Sequence, residues 1–274
     1  MLPQQFYYPD ITFSDAMKFK LGQLTFELYH FLGETDDSLW VWVPERKTAL
    51  IGDMIIAGIP NVGNPFKVQR YAKEGAEALE RVAGMNPDYV VAAGQIYKKD
   101  FAQAVLLDTA KCLNFIEDEV VRLLNEGCGI EEIIARVKIP AELAAKPWLA
   151  PLYGHPTFVI HGVQRRYAGW YNGNPSELFP SKSAEIAASV VKLVGVEKLM
   201  TEAKELYKAG GLENIQLSLH LADFVIKGSD KTIRKEALAL KSELLNARAD
   251  AEPSYIARNI YRAGSTLAKQ EAEK

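Results

Sequence analysis

The chain has 274 residues, 48% of them hydrophobic and 24% charged, with a formal net charge of −3 at pH 7 and a pI near 5.9. That length suits one large or two ordinary domains with ample core. The mild acidity excludes electrostatic attraction to nucleic acid or anionic membranes, and no apolar run is long enough to span a bilayer.

The N-terminal stretch "MLPQQFYYPDITF" has no basic region followed by an apolar run, so it is not expected to be a signal peptide. "LTFELYH" (24–30) alternates apolar and polar residues as a half-buried strand does. "LWVWV" and "TALIG" follow, joined by "PERK" (44–47), and predict a hairpin. "KVQRYAKEGAEALERVAG" (67–84) predicts an amphipathic helix ending at glycine, and "YVVAA" (89–93) a short buried strand.

After Lys98 the pattern turns helical. Residues 100–127 predict one long helix, "IEEIIARV" a short one closed by Pro140, and "PTFVIHGVQRRYAGWYNGNP" a helix running into a turn. Helices are expected at about 183–194, 196–209, 213–227, 230–248 and 254–268, with very short links. Such stacked hairpins are similar to a tetratricopeptide array. A domain boundary is expected near 98, giving units 1–98 and 99–274, with a softer one near 180. Cys112 and Cys128 do not form a disulfide framework, and a reduced, cytoplasmic protein is the simple reading.

Three stretches, "GETDDSLWVWVPERKTALIGD", "IPNVGNPFKVQRYAKEG" and "NPDYVVAAG", resemble the second half of the metallo-β-lactamase fold as it occurs in alkyl sulfatases. "LYGHPTFVIHGVQRRYAGWYNGNPSELFP" and "AEPSYIARNIYRAG" resemble the alkyl-sulfatase dimerisation domain. The resemblance covers essentially the whole chain. It implies an α/β region, half of a metallo-β-lactamase αββα sandwich, followed by an all-α, tetratricopeptide-like dimerisation domain.

It also implies site residues. Glu34 and Asp53 match the family's acidic metal-ligand positions, and Asp53 is placed to bridge a binuclear zinc or manganese site. Carboxylates beside glycine also serve turns, and Asp36 and Asp37 fit either a cap or a group that orients a ligand. Asn61, Asn64 and Arg70 could present amides and a planar fork to an anionic substrate, or form a loop leading into a solvated helix face. Tyr167, Trp170 and Tyr171 could line a substrate tunnel or anchor the helices. His30, next to Glu34, is the best placed of four scattered histidines, although a strand-end histidine there is more easily structural. His155 and His161 are six residues apart, a poor spacing for two ligands on one helical face, and His220 reads as a packed or half-exposed helix residue.

The family's H-x-H-x-D-H motif, which supplies most metal ligands, has no counterpart here. Gly94 stands where the family has a late ligand histidine, and Phe158 where it has a sulfate-associated histidine. Gln95 is a weak substitute ligand. Two carboxylates alone do not make a tight zinc site, so no tightly bound zinc is expected without a partner.

Two functions remain open. The chain is either one subunit of a split metal-dependent hydrolase, completed by a metallo-β-lactamase-like partner, or a non-catalytic assembly protein. A fragment of a longer gene is the third possibility, against which Gly94 counts. Oligomerisation through the helical part is expected in either case. Phe26, Leu28, Trp40 and Trp42 share strand parity within their runs, so residues 24–56 are expected to form an interface with another polypeptide or a second copy.

Overall fold

The computed structural model describes residues 7–56 and 58–274. Part of the stretch expected not to be a signal peptide lies outside the described residues. The chain forms two compact units, Met1–Trp170 and Tyr171–Lys274. The boundary expected near 98 falls inside the first of these.

The first unit is built on one six-stranded sheet in the order β1-β2-β3-β4-β5-β6. Its strands are β1 (Ala16–Leu21), β2 (Leu24–Phe31), β3 (Ser38–Val43), β4 (Thr48–Gly52), β5 (Tyr89–Ala92) and β6 (Gln95–Lys98). Neighbours are antiparallel except β4 and β5, which run parallel because α1 (Ala72–Gly84) crosses between them. The hairpin at "PERK" forms as its residues predict: Pro44–Arg46 is one 3₁₀ turn closed by Lys47 in the left-handed region. The helix expected from residue 67 starts at Ala72, and residues 67–71 belong to the preceding loop.

Helices α1 and α2 (Lys99–Asn125) cover one sheet face. Trp40, Ala49, Ile51 and Val90 point into that layer against Leu79, Val82, Leu106 and Leu113. Tyr29 stacks on Trp40, with ring centroids 4.5 Å apart, and the Arg81 guanidinium of α1 lies 4.3 Å from the Tyr29 ring centre. Three shorter helices complete the unit: α3 (Ile130–Arg136), α4 (Ala141–Ala144) and α5 (Pro156–Ala168). Val159, Ile160 and Val163 of α5 join the same core.

The opposite face is bare. Leu28 pairs with Val41, Val41 with Leu50, Leu50 with Val91 and Val91 with Ile96, which places these five side chains on one side. Phe19 and Phe26 stack at 5.2 Å on the same side. Leu39 is 42% exposed and Ile96 62% exposed. The expectation that Phe26, Leu28, Trp40 and Trp42 act together is therefore corrected. Parity holds within each strand, but the register turns the two tryptophans inward and Phe26 and Leu28 outward.

The second unit is five helices: α6 (Ser183–Val194), α7 (Val196–Ala209), α8 (Leu212–Gly228), α9 (Lys231–Ala251) and α10 (Tyr255–Ala272). Gly195, Gly210 and Gly211 take positive φ in the links, where a side chain would be strained. Asp230 caps α9 by accepting from Thr232 N–H and Ile233 N–H, and Ser254 caps α10 by accepting from Ala257 N–H. Leu199, Leu219, Val225, Leu238 and Leu244 form a separate core.

The two sheet faces predict different mutational costs. Trp40, 1% exposed, should cost about 3–5 kcal/mol when changed to Ala. Leu39→Ser, its chain neighbour on the bare face, should shift stability by no more than about 1 kcal/mol. Urea titrations of the two variants measure both.

Candidate functional site

Three loops meet at the ends of β2, β4 and β5. The first, after Phe31, carries Glu34. Gly33 lies close under the Phe31 ring, which would have to move for a Cβ to fit, at 2.4 Å. Its carbonyl accepts from Tyr71 N–H at 3.2 Å, tying the loop to the start of α1. The second loop carries Asp53 directly after Gly52, whose carbonyl accepts from Ala93 N–H at 3.0 Å. The third, residues 59–70, carries Asn61, Asn64, Lys67 and Arg70. It packs so tightly on α5 that a Cβ at Gly63 would stand 2.0 Å from the Phe158 carbonyl oxygen.

Glu34, Asp53, Asn61, Lys67, Arg70 and Tyr153 line a cleft of about 410 Å³, together with Ile56 and Ala93. The structure thus brings together both carboxylates and two of the three residues expected to meet an anion. Arg70 is not on a solvated helix face: it is buried in the loop before α1. Its guanidinium donates to Glu34 Oε2 at 2.8 Å and to the Asn61 carbonyl. Its buried Nε–H has no acceptor. Asn64 donates to Asn61 Oδ1 at 3.3 Å and thereby braces the loop. Burial raises the Glu34 carboxyl above the ordinary carboxylate range; Arg70 draws it down, and the nearby Asp53 pushes it up.

Tyr167 lies elsewhere, on α5, where its hydroxyl donates to Glu117 Oε1 of α2 at 2.8 Å. The adjacent Arg166 forks onto Glu74 of α1 and stacks on Tyr71. Asn64 also borders a second cavity of about 390 Å³, with Phe158, His161, Arg165 and Trp170. His30 Nε2 lies 2.7 Å from the Asp36 carbonyl oxygen, and His155 caps α5 by accepting from Thr157 N–H. His220 pairs with Gln216 on α8. Gln95 accepts from the Tyr97 hydroxyl. Lys67 and Tyr153 were not singled out from the sequence, although both lie within the stretches that carry the family resemblance.

These residues do not fit a resident metal by themselves. Among the described residues, no group of three or more His, Cys, Asp or Glu could hold a metal ion. Gly94, at the family's histidine position, takes φ +73° in the two-residue turn between β5 and β6, a conformation that histidine adopts only with strain. A guanidinium already sits on Glu34, and the orphaned Arg70 Nε–H requires an acceptor rather than a cation.

Glu117 gives a pH test of the fold around this site. Burial raises its carboxyl, against the opposing bond from Tyr167 and the charge of Arg166. The folded state therefore holds this proton more tightly than the unfolded state. Its contribution to stability is full below the ordinary carboxylate value and is lost as pH rises through the raised one. Glu117→Gln stays neutral and still accepts from Tyr167. Its melting temperature should gain on the unmodified protein between about pH 4 and pH 7. Paired melts across that range measure the difference.

Known proteins share this architecture. The family model for alkyl sulfatase dimerisation matches residues 129–271. A linear primary-alkylsulfatase from Pseudomonas sp. is 27% identical over 215 residues, covering 75% of this chain and 40% of that protein. An (R)-specific secondary-alkylsulfatase from Pseudomonas sp. is 27% identical over 175 residues, covering 62% of this chain and 25% of that one. The solved structure of the stereoselective inverting sec-alkylsulfatase Pisa1 from Pseudomonas sp. superposes with a TM-score of 0.85 at 21% identity. It covers 97% of this chain and 42% of that structure, and the likeness is one of fold. The chain thus spans less than half the length of the relatives it matches. No described helix is long and apolar enough to cross a membrane. With that family model matching more than half of its length, the chain belongs to the alkyl sulfatase dimerisation family.

Proposed function

We propose that this chain is the C-terminal subunit of a split, metal-dependent hydrolase acting on sulfate esters in the cytoplasm. A partner carrying the H-x-H-x-D-H motif would complete it. The observation that carries this reading is the bare apolar sheet face beside the cleft that holds Glu34 and Asp53. A second sheet laid on Leu28, Val41, Leu50 and Val91 would bury those side chains, each worth roughly 1.5–3 kcal/mol. It would bring its ligands to the end of the sheet where Glu34 and Asp53 stand.

Within this chain, Glu34 and Asp53 are the residues proposed to meet zinc at a binuclear site once a partner adds the imidazoles. Arg70, with its free Nε–H, and Lys67 favour an anionic substrate, while Asn61 and Asn64 hold the loop that presents Arg70. The helical unit, similar to a tetratricopeptide array, is proposed to serve assembly.

One observation favours the second reading, a non-catalytic assembly protein. The Arg70–Glu34 ion pair satisfies a carboxylate that the hydrolase reading needs for metal.

The deciding experiment co-expresses the chain with the product of an adjacent gene carrying H-x-H-x-D-H. Metal content after dialysis and sulfate release from dodecyl sulfate are then measured. The hydrolase reading expects zinc and turnover only in the complex, and loss of both in Asp53→Ala with assembly intact. Tight zinc on the isolated chain, or a complex without turnover, rejects it in favour of the assembly protein.

A further inference from the structure

Ten asparagines are spread along the chain, and their surroundings divide them. Asn64, Asn86 and Asn174 each precede a proline, whose nitrogen carries no hydrogen. Asn114, Asn125, Asn214, Asn246 and Asn259 lie in α2, α8, α9 and α10, where the next residue's N–H is held by the helix. Asn61 is buried. Asn172 alone precedes a glycine, in the exposed turn after α5. There Asn172 Oδ1 accepts from Asn174 N–H at 3.0 Å, and Asn174 Oδ1 accepts from Ser176 N–H at 3.2 Å. The first bond holds the Asn172 side chain over its own downstream backbone and draws electron density from its carbonyl carbon. Gly173 sits between the two asparagines, with φ +94° and no Cβ to hinder its nitrogen. Among the described residues, nothing accepts from the Gly173 N–H.

We infer that Asn172 is a site of self-modification, closing with Gly173 to a succinimide that opens to aspartate and isoaspartate. The Gly173 nitrogen gives its proton to solvent and bonds to Cγ of Asn172. Negative charge collects on Oδ1, where the Asn174 N–H already points. The bond from Cγ to Nδ2 then breaks, and Nδ2 leaves as ammonia with a proton from solvent. Water opens the ring. Its attack at Cγ gives aspartate, and its attack at the main-chain carbonyl carbon of Asn172 gives isoaspartate. No atom changes oxidation state. Either product adds one negative charge to the turn, and isoaspartate also lengthens the main chain by one carbon. This inference does not depend on the hydrolase reading.

Peptide mapping of the full chain tests the site. The protein is held in mildly acidic and mildly alkaline buffers, digested with trypsin and analysed by mass spectrometry. The peptide spanning 167–182 should gain one mass unit at Asn172, faster in alkali, and an isoaspartyl methyltransferase should label the product. Gly173→Ala, whose Cβ crowds the attacking nitrogen, should slow the reaction at least about tenfold. If circular dichroism shows that variant misfolded, Asn172→Gln, which moves the carbonyl carbon one bond further away, should slow it as much. No mass gain at Asn172, an unchanged rate in a folded Gly173→Ala, or aspartate without isoaspartate overturns the inference.

Discussion

Cladding of a two-faced apolar sheet on one side only is the constraint on which the rest of the first unit depends. The β4–α1–β5 crossover puts α1 over the sheet, and α2 follows beside it. Together they bury the tryptophan face and, through Tyr71 and Gly33, hold the loop that carries Glu34. Arg166 adds a second anchor by gripping Glu74 at the first turn of α1. The cleft thus inherits its geometry from the helix side, while the strands that feed it present their other side chains to solvent.

Much of this was legible in the sequence, and the misses have physical reasons. The central strands, the long helix and the helical array follow from period and glycine punctuation. β1 was missed although Met17, Phe19 and Leu21 alternate with lysines, because an edge strand of that composition reads equally well as loop. β6 has only four residues, too few to show a period. The sharing of one face by Phe26 and Trp40 failed because alternation gives parity within a strand, whereas the cross-strand register decides which parity faces the helices. Glu34 and Asp53 could be paired only through the family resemblance. Tyr153 comes from a loop far along the chain and carries no periodic signal of its own. The burial of Arg70 was hidden for the same reason: it sits in a loop, where periodicity says nothing about exposure.

The charges in the cleft form a self-neutralising set, with Glu34 and Asp53 facing Arg70 and Lys67. A buried guanidinium needs such carboxylates, since an unpaired charge at that depth costs several kcal/mol. Burial raises the Glu34 carboxyl, and Arg70 draws it back down by pairing with the ionised form. The same pairing lowers that carboxylate's appetite for a cation. Catalytic and purely structural accounts of this cleft therefore divide over whether Arg70 gives up Glu34 when something else arrives.

The bare face and the cleft are not independent. His30 lies on the bare side of β2, paired in register with Leu39, and its Nε2 touches the Asp36 carbonyl. Asp36 is in the loop that carries Glu34, and its carboxylate reaches the Tyr71 hydroxyl beside Arg70. His30 shares the bare face with Leu28 and with Leu39, which is 42% exposed. The ring is held at Asp36, two residues from Glu34. The bare face and the loop that shapes the cleft are thus joined by one contact, between the His30 ring and the Asp36 carbonyl.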